Sequence, residues 1–269
     1  GKPEIRSRAY KIKEGVASVG EWFSMMNLFT SKVKPSELEI QMKNIFRIAW
    51  NFISYHAAYQ IPVGMSLSGT PLNESLIALH QILPIFKKEN KLQKTHCVVL
   101  TDGEASPLKY HKEFDRRWEE GPFIGVANLG SNSFLRDRKV GTNYSLDCEW
   151  YQFTDVLLKN LKDRFKDTSF IGIRVMEPRD GNSFIRRYSG YGDTYTKLTA
   201  TWKKQKSFSI KNSGYHTYFG LSSTALSTDT TFSVSESATK TQIKSAFVKS
   251  LKSKKVNKKV LNEFVELIS

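Results

Sequence analysis

The residues of this chain best suited to holding a metal ion are a threonine and an aspartate. Asp102 directly follows an apolar run at 96–100 and precedes Gly103, which permits a tight turn. Thr70 precedes Pro71, a favoured first helical residue, so its hydroxyl lies at a predicted helix start. Ligands bind at the carboxyl ends of parallel strands, so Asp102 is placed to hold a divalent cation. Each residue also has a purely structural interpretation, in which Thr70 caps the helix and Asp102 closes a turn.

Catalytic alternatives receive less support from the sequence. Glu104 lies close to Asp102, and the two carboxylates together would suit a metal-dependent hydrolase, but no third carboxylate ligand is evident. The five histidines include no pair at metal-binding spacing on one helix face. The motifs of serine hydrolases, P-loop proteins and zinc proteases are absent from the sequence. Cys97 lies inside the apolar run, where a thiol is normally inert, and Cys148 has no evident base.

Two helix–strand units are predicted to position the candidate residues. Apolar side chains at steps of three and four predict a helix over 35–55 and a second one over 70–90. The run 96–100 shows no alternation, which predicts a strand buried on both faces. A helix over 153–165 and an apolar strand over 170–176 repeat this arrangement. The pattern predicts an α/β fold.

The remaining segments are predicted with less regular structure. Residues 121–149 are rich in glycine and asparagine and are expected to hold a β-excursion. The stretch 184–195 combines adjacent arginines with tyrosines and is interpreted as a surface loop. Apolar spacing predicts one or two helices after about residue 241. The predicted organisation is an α/β domain over 1–220, a Ser/Thr-rich linker over 221–240 and a basic helical tail over 241–269.

The charge balance suits an acidic partner such as nucleic acid. The chain has 41 basic and 26 acidic side chains, a net charge of +15. Residues 239–269 contain eight lysines and two glutamates, for which a solvated helix face is the simpler interpretation. Nucleic-acid binding is therefore the alternative function, and it would use basic residues of the 184–195 loop and the tail. These residues are Arg186, Arg187, Lys254, Lys255, Lys258 and Lys259.

Composition excludes several classes of protein. With 39% hydrophobic and 25% charged residues, the chain is a folded globular protein rather than a disordered one. No run of about 18 apolar residues is present, so no membrane partner is expected. Two cysteines make no disulfide framework and fit a reducing, cytoplasmic setting, which would be the host cytoplasm if the protein is viral.

The segment Ser68–Leu76, the amphipathic helix after it and the segment Val98–Ala105 together resemble the von Willebrand factor type A (VWA) family. The likeness is greatest to the intracellular branch found in chelatase subunits and bacteriophage proteins. It covers residues 23–106 and, more loosely, 153–176. The resemblance implies a doubly wound, mostly parallel sheet flanked by helices. It also implies a metal-ion-dependent adhesion site that is built from three loops.

By this resemblance Thr70 matches the threonine of the second loop and Asp102 matches the aspartate of the third. The first loop of the family carries an Asp-x-Ser-x-Ser motif, but residues 1–69 contain no aspartate. A similar Asp-x-Thr-x-Ser pattern begins at Asp229, without a convincing strand before it. We therefore expect the first strand, first helix and second strand of the family to precede Gly1. A degenerate copy without metal is the alternative.

The function expected from the resemblance is non-catalytic, metal-assisted binding of a protein partner. An AAA+ ATPase is the partner class that the resemblance implies, with this chain as its adaptor. A carboxylate of the partner would occupy an open coordination position of Mg²⁺. Thr70 and Asp102 would hold the ion, and neighbouring residues would form the binding loops. These neighbours are Ser66, Ser68, Gly69, Gly103 and Glu104.

Overall fold

The structure is a computed structural model in which the chain divides into two compact units. The first unit comprises residues 1–78 and 105–133, and the second comprises residues 79–104 and 134–269. No helix among the described residues is both long enough and apolar enough to cross a lipid bilayer. The structure describes residues 12–19, 23–53, 61, 65, 69–115, 121–129, 132–211, 213–226, 237–239, 241, 242, 245 and 258–268.

The described residues form strands and helices in a mixed α/β order. The strands are β1 (Ala17–Ser18), β2 (Thr95–Thr101), β3 (Lys109–Phe114), β4 (Phe123–Asn128), β5 (Phe134–Asp137), β6 (Thr142–Ser145), β7 (Thr168–Met176), β8 (Ser207–Ile210) and β9 (Thr217–Ser222). The helices are α1 (Pro35–Ile53), α2 (Leu72–Asn90), α3 (Phe153–Arg164), α4 (Gly181–Ser189), α5 (Asp193–Gln205), α6 (Ser223–Leu226) and α7 (Lys258–Ile268). A short 3₁₀ turn at Trp150–Gln152 precedes α3.

The first unit contains helix α1, the start of α2 and a small antiparallel sheet. The sheet has the order β1-β3-β4. Helix α1 begins at Pro35, where proline is tolerated because the first helical N–H has no intrahelical acceptor. It extends to Ile53, the last described residue of this stretch, and confirms the helix predicted over 35–55.

Helix α2 begins at Leu72, slightly later than the sequence predicts. The Ser75 N–H donates to the Pro71 carbonyl at 3.0 Å. Pro71 is therefore the N-cap residue of the helix, the position predicted for Thr70. The helix ends at Asn90 as predicted, where the Asn90 side-chain amide donates to the Phe86 carbonyl at 2.6 Å. A predicted helix over 70–90 is thus confirmed, with its cap shifted by one residue.

The second unit is built around a partly parallel four-stranded sheet of order β2-β7-β9-β8. Strand β7 pairs in parallel with both β2 and β9, whereas β8 is antiparallel to β9. Helices flank this sheet, so the second unit is mixed α/β as predicted. Phe170 and Ile171 of β7 and Leu158 and Leu161 of α3 are all 0% exposed and form the centre of the core. Strand β7 and helix α3 confirm the second predicted helix–strand unit.

Strand β2 lies at the edge of this sheet, where it pairs with β7 alone among the described strands. Val98 is 44% exposed and Leu100 is 70% exposed. The prediction that this strand is buried on both faces is therefore wrong. An unbroken apolar run also arises in an edge strand with one uncovered face, and the sequence does not distinguish the two cases.

The predicted β-excursion contains the hairpin of β5 and β6, which turns through Arg138–Gly141. Asp137 anchors this hairpin, because its carboxylate accepts hydrogen bonds from two N–H groups of the turn, on Lys139 and Val140. The Asn160 side-chain amide of α3 also donates to Asp137, at 2.8 Å. These bonds attach the hairpin to helix α3.

The stretch 184–195 is mostly helical, so its interpretation as a surface loop is wrong. It contains the second half of α4 and the start of α5. Helix α4 forms because Phe184 and Ile185, 3% and 0% exposed, bury one side of it. The Trp202 indole N–H of α5 donates to the Pro178 carbonyl at 3.0 Å, which ties α5 to the chain before α4.

Helix α7 confirms a helix in the basic tail. The Phe264 ring packs against Phe219 of β9, with their centroids 6.4 Å apart. Most of the other predicted tail helix lies outside the described residues, as do Asp229 and much of the predicted linker. The predicted domain boundaries at 220 and 240 stay predictions.

Candidate functional site

Asp102 lies exposed in a turn at the carboxyl end of strand β2. The Thr101 hydroxyl shapes this turn, because it accepts a hydrogen bond from the Gly103 N–H at 3.2 Å and donates to the Gly103 carbonyl at 3.0 Å. The parallel neighbour β7 ends beside β2, with Thr101 opposite Arg174. Asp102 thus lies at the carboxyl ends of the parallel strands, which is where α/β proteins bind ligands.

Thr70 lies in the first unit, in the loop that leads into α2. Its carbonyl accepts hydrogen bonds from the Leu72 N–H at 2.8 Å and from the Ser106 N–H at 3.1 Å. The side chain of Asn73, 0% exposed, donates to the Ser106 carbonyl at 2.9 Å. Gly69 has a φ of +62°, a conformation that residues with side chains rarely adopt. The backbone on both sides of Thr70 is therefore fixed.

Glu74, in the first turn of α2, has a buried carboxylate oxygen without a partner. Its Oε2 atom accepts no hydrogen bond among the described residues. Burial raises the pKa of this carboxyl, although a hydrogen bond from a backbone N–H opposes the rise. An unpaired buried carboxylate oxygen is costly, and a cation would compensate it.

Thr70 belongs to the first unit and Asp102 to the second. That the two residues share one metal site therefore stays a prediction. Ser66 and Ser68 lie outside the described residues. Within the described part of the chain, no group of three or more His, Cys, Asp or Glu side chains is arranged to hold a metal ion.

Glu104 binds two arginines rather than standing free beside Asp102. Its Oε1 atom accepts hydrogen bonds from the Arg174 guanidinium of β7 and from Arg187 Nη1 of α4, the latter at 2.5 Å. The Arg174 side chain is 13% exposed, and its guanidinium lies 5.0 Å from the centre of the Phe184 ring. The guanidinium carbon of Arg187 lies 5.2 Å from the centre of the Tyr151 ring. Arg174 was not among the residues predicted from the sequence, although a charged residue inside an apolar strand is a recognisable signal.

Asp155 of α3 is a second carboxyl that the sequence analysis missed. The Gly214 N–H donates to its Oδ1 atom at 3.1 Å. Gly214 is required there, because a Cβ at this position would lie 2.5 Å from the Asp155 Cα. Burial and, less strongly, the negative charge of Glu104 raise the pKa of Asp155 to about 6, against the opposing hydrogen bond from Gly214.

Three tyrosines, the buried Tyr215 and Tyr218 and the half-buried Tyr188, interact electrostatically with this group of charges. Burial raises the pKa of Tyr218 to about 12, against the opposing effect of the Arg174 charge. Burial also raises the pKa of Tyr188 and of Tyr215, with the Asp155 charge contributing to both shifts. These hydroxyls therefore stay protonated at neutral pH. The buried Tyr215 hydroxyl has no hydrogen-bond partner among the described residues, so this part of the second unit contains an unsatisfied polar atom.

The basic residues predicted to bind nucleic acid are placed unequally. Arg186 and Arg187 both lie on α4, and Arg187 is engaged by Glu104. Arg186 instead donates to the Tyr191 hydroxyl at 2.9 Å. Lys254 and Lys255 lie outside the described residues, and Lys258 and Lys259 form the first turn of α7.

Cys97 has the character expected of an unreactive thiol. It lies in β2 opposite Phe170 of β7. Burial raises the pKa of the Cys97 thiol to about 11, so the nucleophilic thiolate is scarce at neutral pH. Burial, assisted by the negative charge of Asp155, also raises the pKa of Cys148. Neither cysteine has the lowered pKa of a catalytic nucleophile.

The chain matches no model of a known protein family, no curated protein and no solved structure. Similarity to a characterised protein therefore assigns a role to none of these residues.

Proposed function

We propose that this chain is a VWA-like binding module that holds Mg²⁺ and uses it to bind a protein partner. The observation that carries the proposal is the position of Asp102, an exposed carboxylate at the carboxyl end of a parallel strand. Ligand sites of open α/β sheets lie at this edge. The Gly103 backbone and the Thr101 hydroxyl fix the turn that presents the carboxylate.

The arrangement of the sheet supports a doubly wound, VWA-like fold. Helix α2 leads directly into β2, and β2 pairs in parallel with β7, which follows another helix. The exposed side chains of Val98 and Leu100 lie on one face of β2, and in a doubly wound fold a further helix would cover such an apolar face. In a doubly wound sheet, the ligand binds at the carboxyl ends of the strands where the strand order reverses, so strands lie on both sides of that point.

The available donor atoms fit Mg²⁺, which prefers oxygen ligands. Thr70 and Asp102 would hold the ion. When bound, the ion would supply an open coordination position for a carboxylate of the partner. By resemblance to the intracellular VWA branch, the proposed partner class is an AAA+ ATPase.

The ion pairs of Glu104 with two arginines favour partner binding over metal-dependent hydrolysis as the function. A hydrolase that uses Asp102 and Glu104 together would need both carboxylates on the metal. Arg174 and Arg187 already occupy Oε1 of Glu104, and a metal at that atom would displace two positive charges. Asp102 is left as the accessible carboxylate of this turn.

The proposal predicts that Mn²⁺, a paramagnetic substitute for Mg²⁺, binds to the full chain at Thr70 and Asp102. Mn²⁺ should broaden the backbone amide resonances of Leu72 and Gly103 at the same concentration, and excess Mg²⁺ should restore them. Asp102→Asn should raise the required Mn²⁺ concentration by about tenfold or more, since a carboxylate ligand is lost. Thr70→Val, which removes the hydroxyl at similar volume, should also weaken binding.

Asp147→Asn is the matched control, because Asp147 is exposed and belongs to the segment between β6 and α3, not to the loops that carry Thr70 and Asp102. It should leave the Mn²⁺ dependence unchanged. Broadening at Gly103 without broadening at Leu72 would show that Thr70 does not share the ion. No selective broadening, or equal effects of the two aspartate variants, would disprove the cation site.

A further inference from the structure

The turn between α4 and α5 presents an aromatic ring to solvent. Tyr191 is 77% exposed, the same fraction as Ile53 and more than the other large apolar or aromatic side chains described as exposed. Gly190 and Gly192 flank it with φ angles of +63° and +136°, which side-chain-bearing residues rarely adopt. The sequence Gly-Tyr-Gly thus builds a tight turn whose tip is a tyrosine.

Arg186 and Tyr195 hold the Tyr191 ring from two sides. Arg186 Nη1 donates to the Tyr191 hydroxyl, and its guanidinium carbon lies 5.7 Å from the ring centre. The Tyr195 ring meets Tyr191 edge-on, with centroids 5.8 Å apart and planes inclined by 62°. The contacts position the ring while most of its surface stays open to solvent.

Arg186 keeps its positive charge available. No carboxylate pairs with it among the described residues, in contrast to the neighbouring Arg187, which is bound by Glu104. The surrounding chain is also basic, since residues 177–211 contain eight basic and three acidic side chains. A polyanion is therefore attracted to the same helical pair that exposes the ring.

We propose that Arg186, Tyr191 and Tyr195 form a binding platform for single-stranded nucleic acid. A base stacks on the exposed Tyr191 ring, and the Arg186 guanidinium binds the adjacent phosphate. A single strand is the fitting ligand because its base faces are accessible, whereas a duplex hides them by stacking. The platform involves neither Thr70 nor Asp102, so it is independent of the proposed cation site.

The test measures binding of a fluorescein-labelled 20-nucleotide oligo(dT) to the full chain by fluorescence anisotropy across a range of salt concentrations. Tyr191→Ala should weaken binding by about tenfold with an unchanged salt slope, because stacking is lost and no charge is removed. Arg186→Gln should also weaken binding, and should reduce the slope of log K against log salt by about 0.7, the value for one phosphate contact on a single strand.

Arg179→Gln is the matched control, because it removes one positive charge from a side chain that is 86% exposed, ahead of α4. It should weaken binding by less than about twofold at moderate salt, as expected for a distant, screened charge. A duplex of the same length should bind more weakly than the single strand. Circular dichroism of each variant verifies that the fold is retained.

Three results would overturn the proposal. The first is absence of oligo(dT) binding at low salt. The second is an equal effect of Arg179→Gln and Arg186→Gln together with no effect of Tyr191→Ala, which would indicate diffuse attraction alone. The third is loss of binding only when Lys254, Lys255, Lys258 and Lys259 are replaced together, which would assign the interaction to the tail.

Discussion

Replacing Glu104 with glutamine is expected to lower the free energy of unfolding by about 2–4 kcal/mol, somewhat below the cost of breaking a fully buried ion pair. Glu104 Oε1 is the shared acceptor of Arg174 and Arg187. The Arg174 side chain is only 13% exposed, so without the carboxylate its charge stays in a poorly hydrated position against Phe184. Chemical denaturation of the full chain at neutral pH measures this effect.

Glu177→Gln is the control for Glu104→Gln, because Glu177 is exposed just after β7. Its expected effect is below about 0.5 kcal/mol, as for most surface substitutions. In an Arg174→Met background, Glu104→Gln should lower the free energy of unfolding by less, since the more buried of the two arginines is gone. Equal effects of Glu104→Gln and Glu177→Gln would contradict the prediction.

The Asp155→Asn variant is expected to gain stability relative to the wild type as the pH rises from 4 to 8. The folded wild type keeps the Asp155 proton up to about pH 6, whereas the unfolded chain releases it near pH ~4. The folded wild type therefore loses stability across this interval, and the neutral asparagine does not. The difference between the two unfolding free energies should change by about 2–3 kcal/mol. Denaturant titrations at the two pH values measure it.

Asp163→Asn provides a control of opposite sign. A hydrogen bond from the Tyr144 hydroxyl lowers the pKa of Asp163, despite some burial, with a smaller contribution from Lys166. The wild type should therefore gain stability over Asp163→Asn as the pH rises, the reverse of the Asp155 case. The unfolding free energy of each variant relative to the wild type is compared between the two pH values. A change in the same direction for the Asp155 and Asp163 variants would show that the assigned burial of Asp155 is wrong.

The predicted helices and strands were those with strong local patterns. Apolar residues at steps of three and four run through α1, α2 and α3, and the apolar runs of β2 and β7 are short and bounded. Such periodicity depends on neighbouring residues and needs no knowledge of the fold. The helical pair of α4 and α5 was missed because α4 is only nine residues long and buries few side chains.

The edge position of β2 and the charge cluster depend on partners that are distant in the chain. Which side of β2 is left unpaired follows from the strand order of the sheet, and the same apolar run fits a central or an edge strand. Glu104 meets Arg174 and Arg187 only after β2 and β7 have paired and α4 has packed. Local sequence identified Asp102 as a candidate ligand, and it held no information on these long-range contacts.

The parallel pairing of β2 with β7 also has a consequence during synthesis. Thr95 pairs with Thr168, and Ile171 of β7 pairs with Thr217 of β9, so the sheet joins segments that leave the ribosome at well-separated times. Contacts between such distant segments slow folding because long loops must close first. Until β7 emerges, the apolar β2 lacks the strand with which it pairs in the described part of the chain. Nascent chains of this protein should therefore depend on chaperones over that interval.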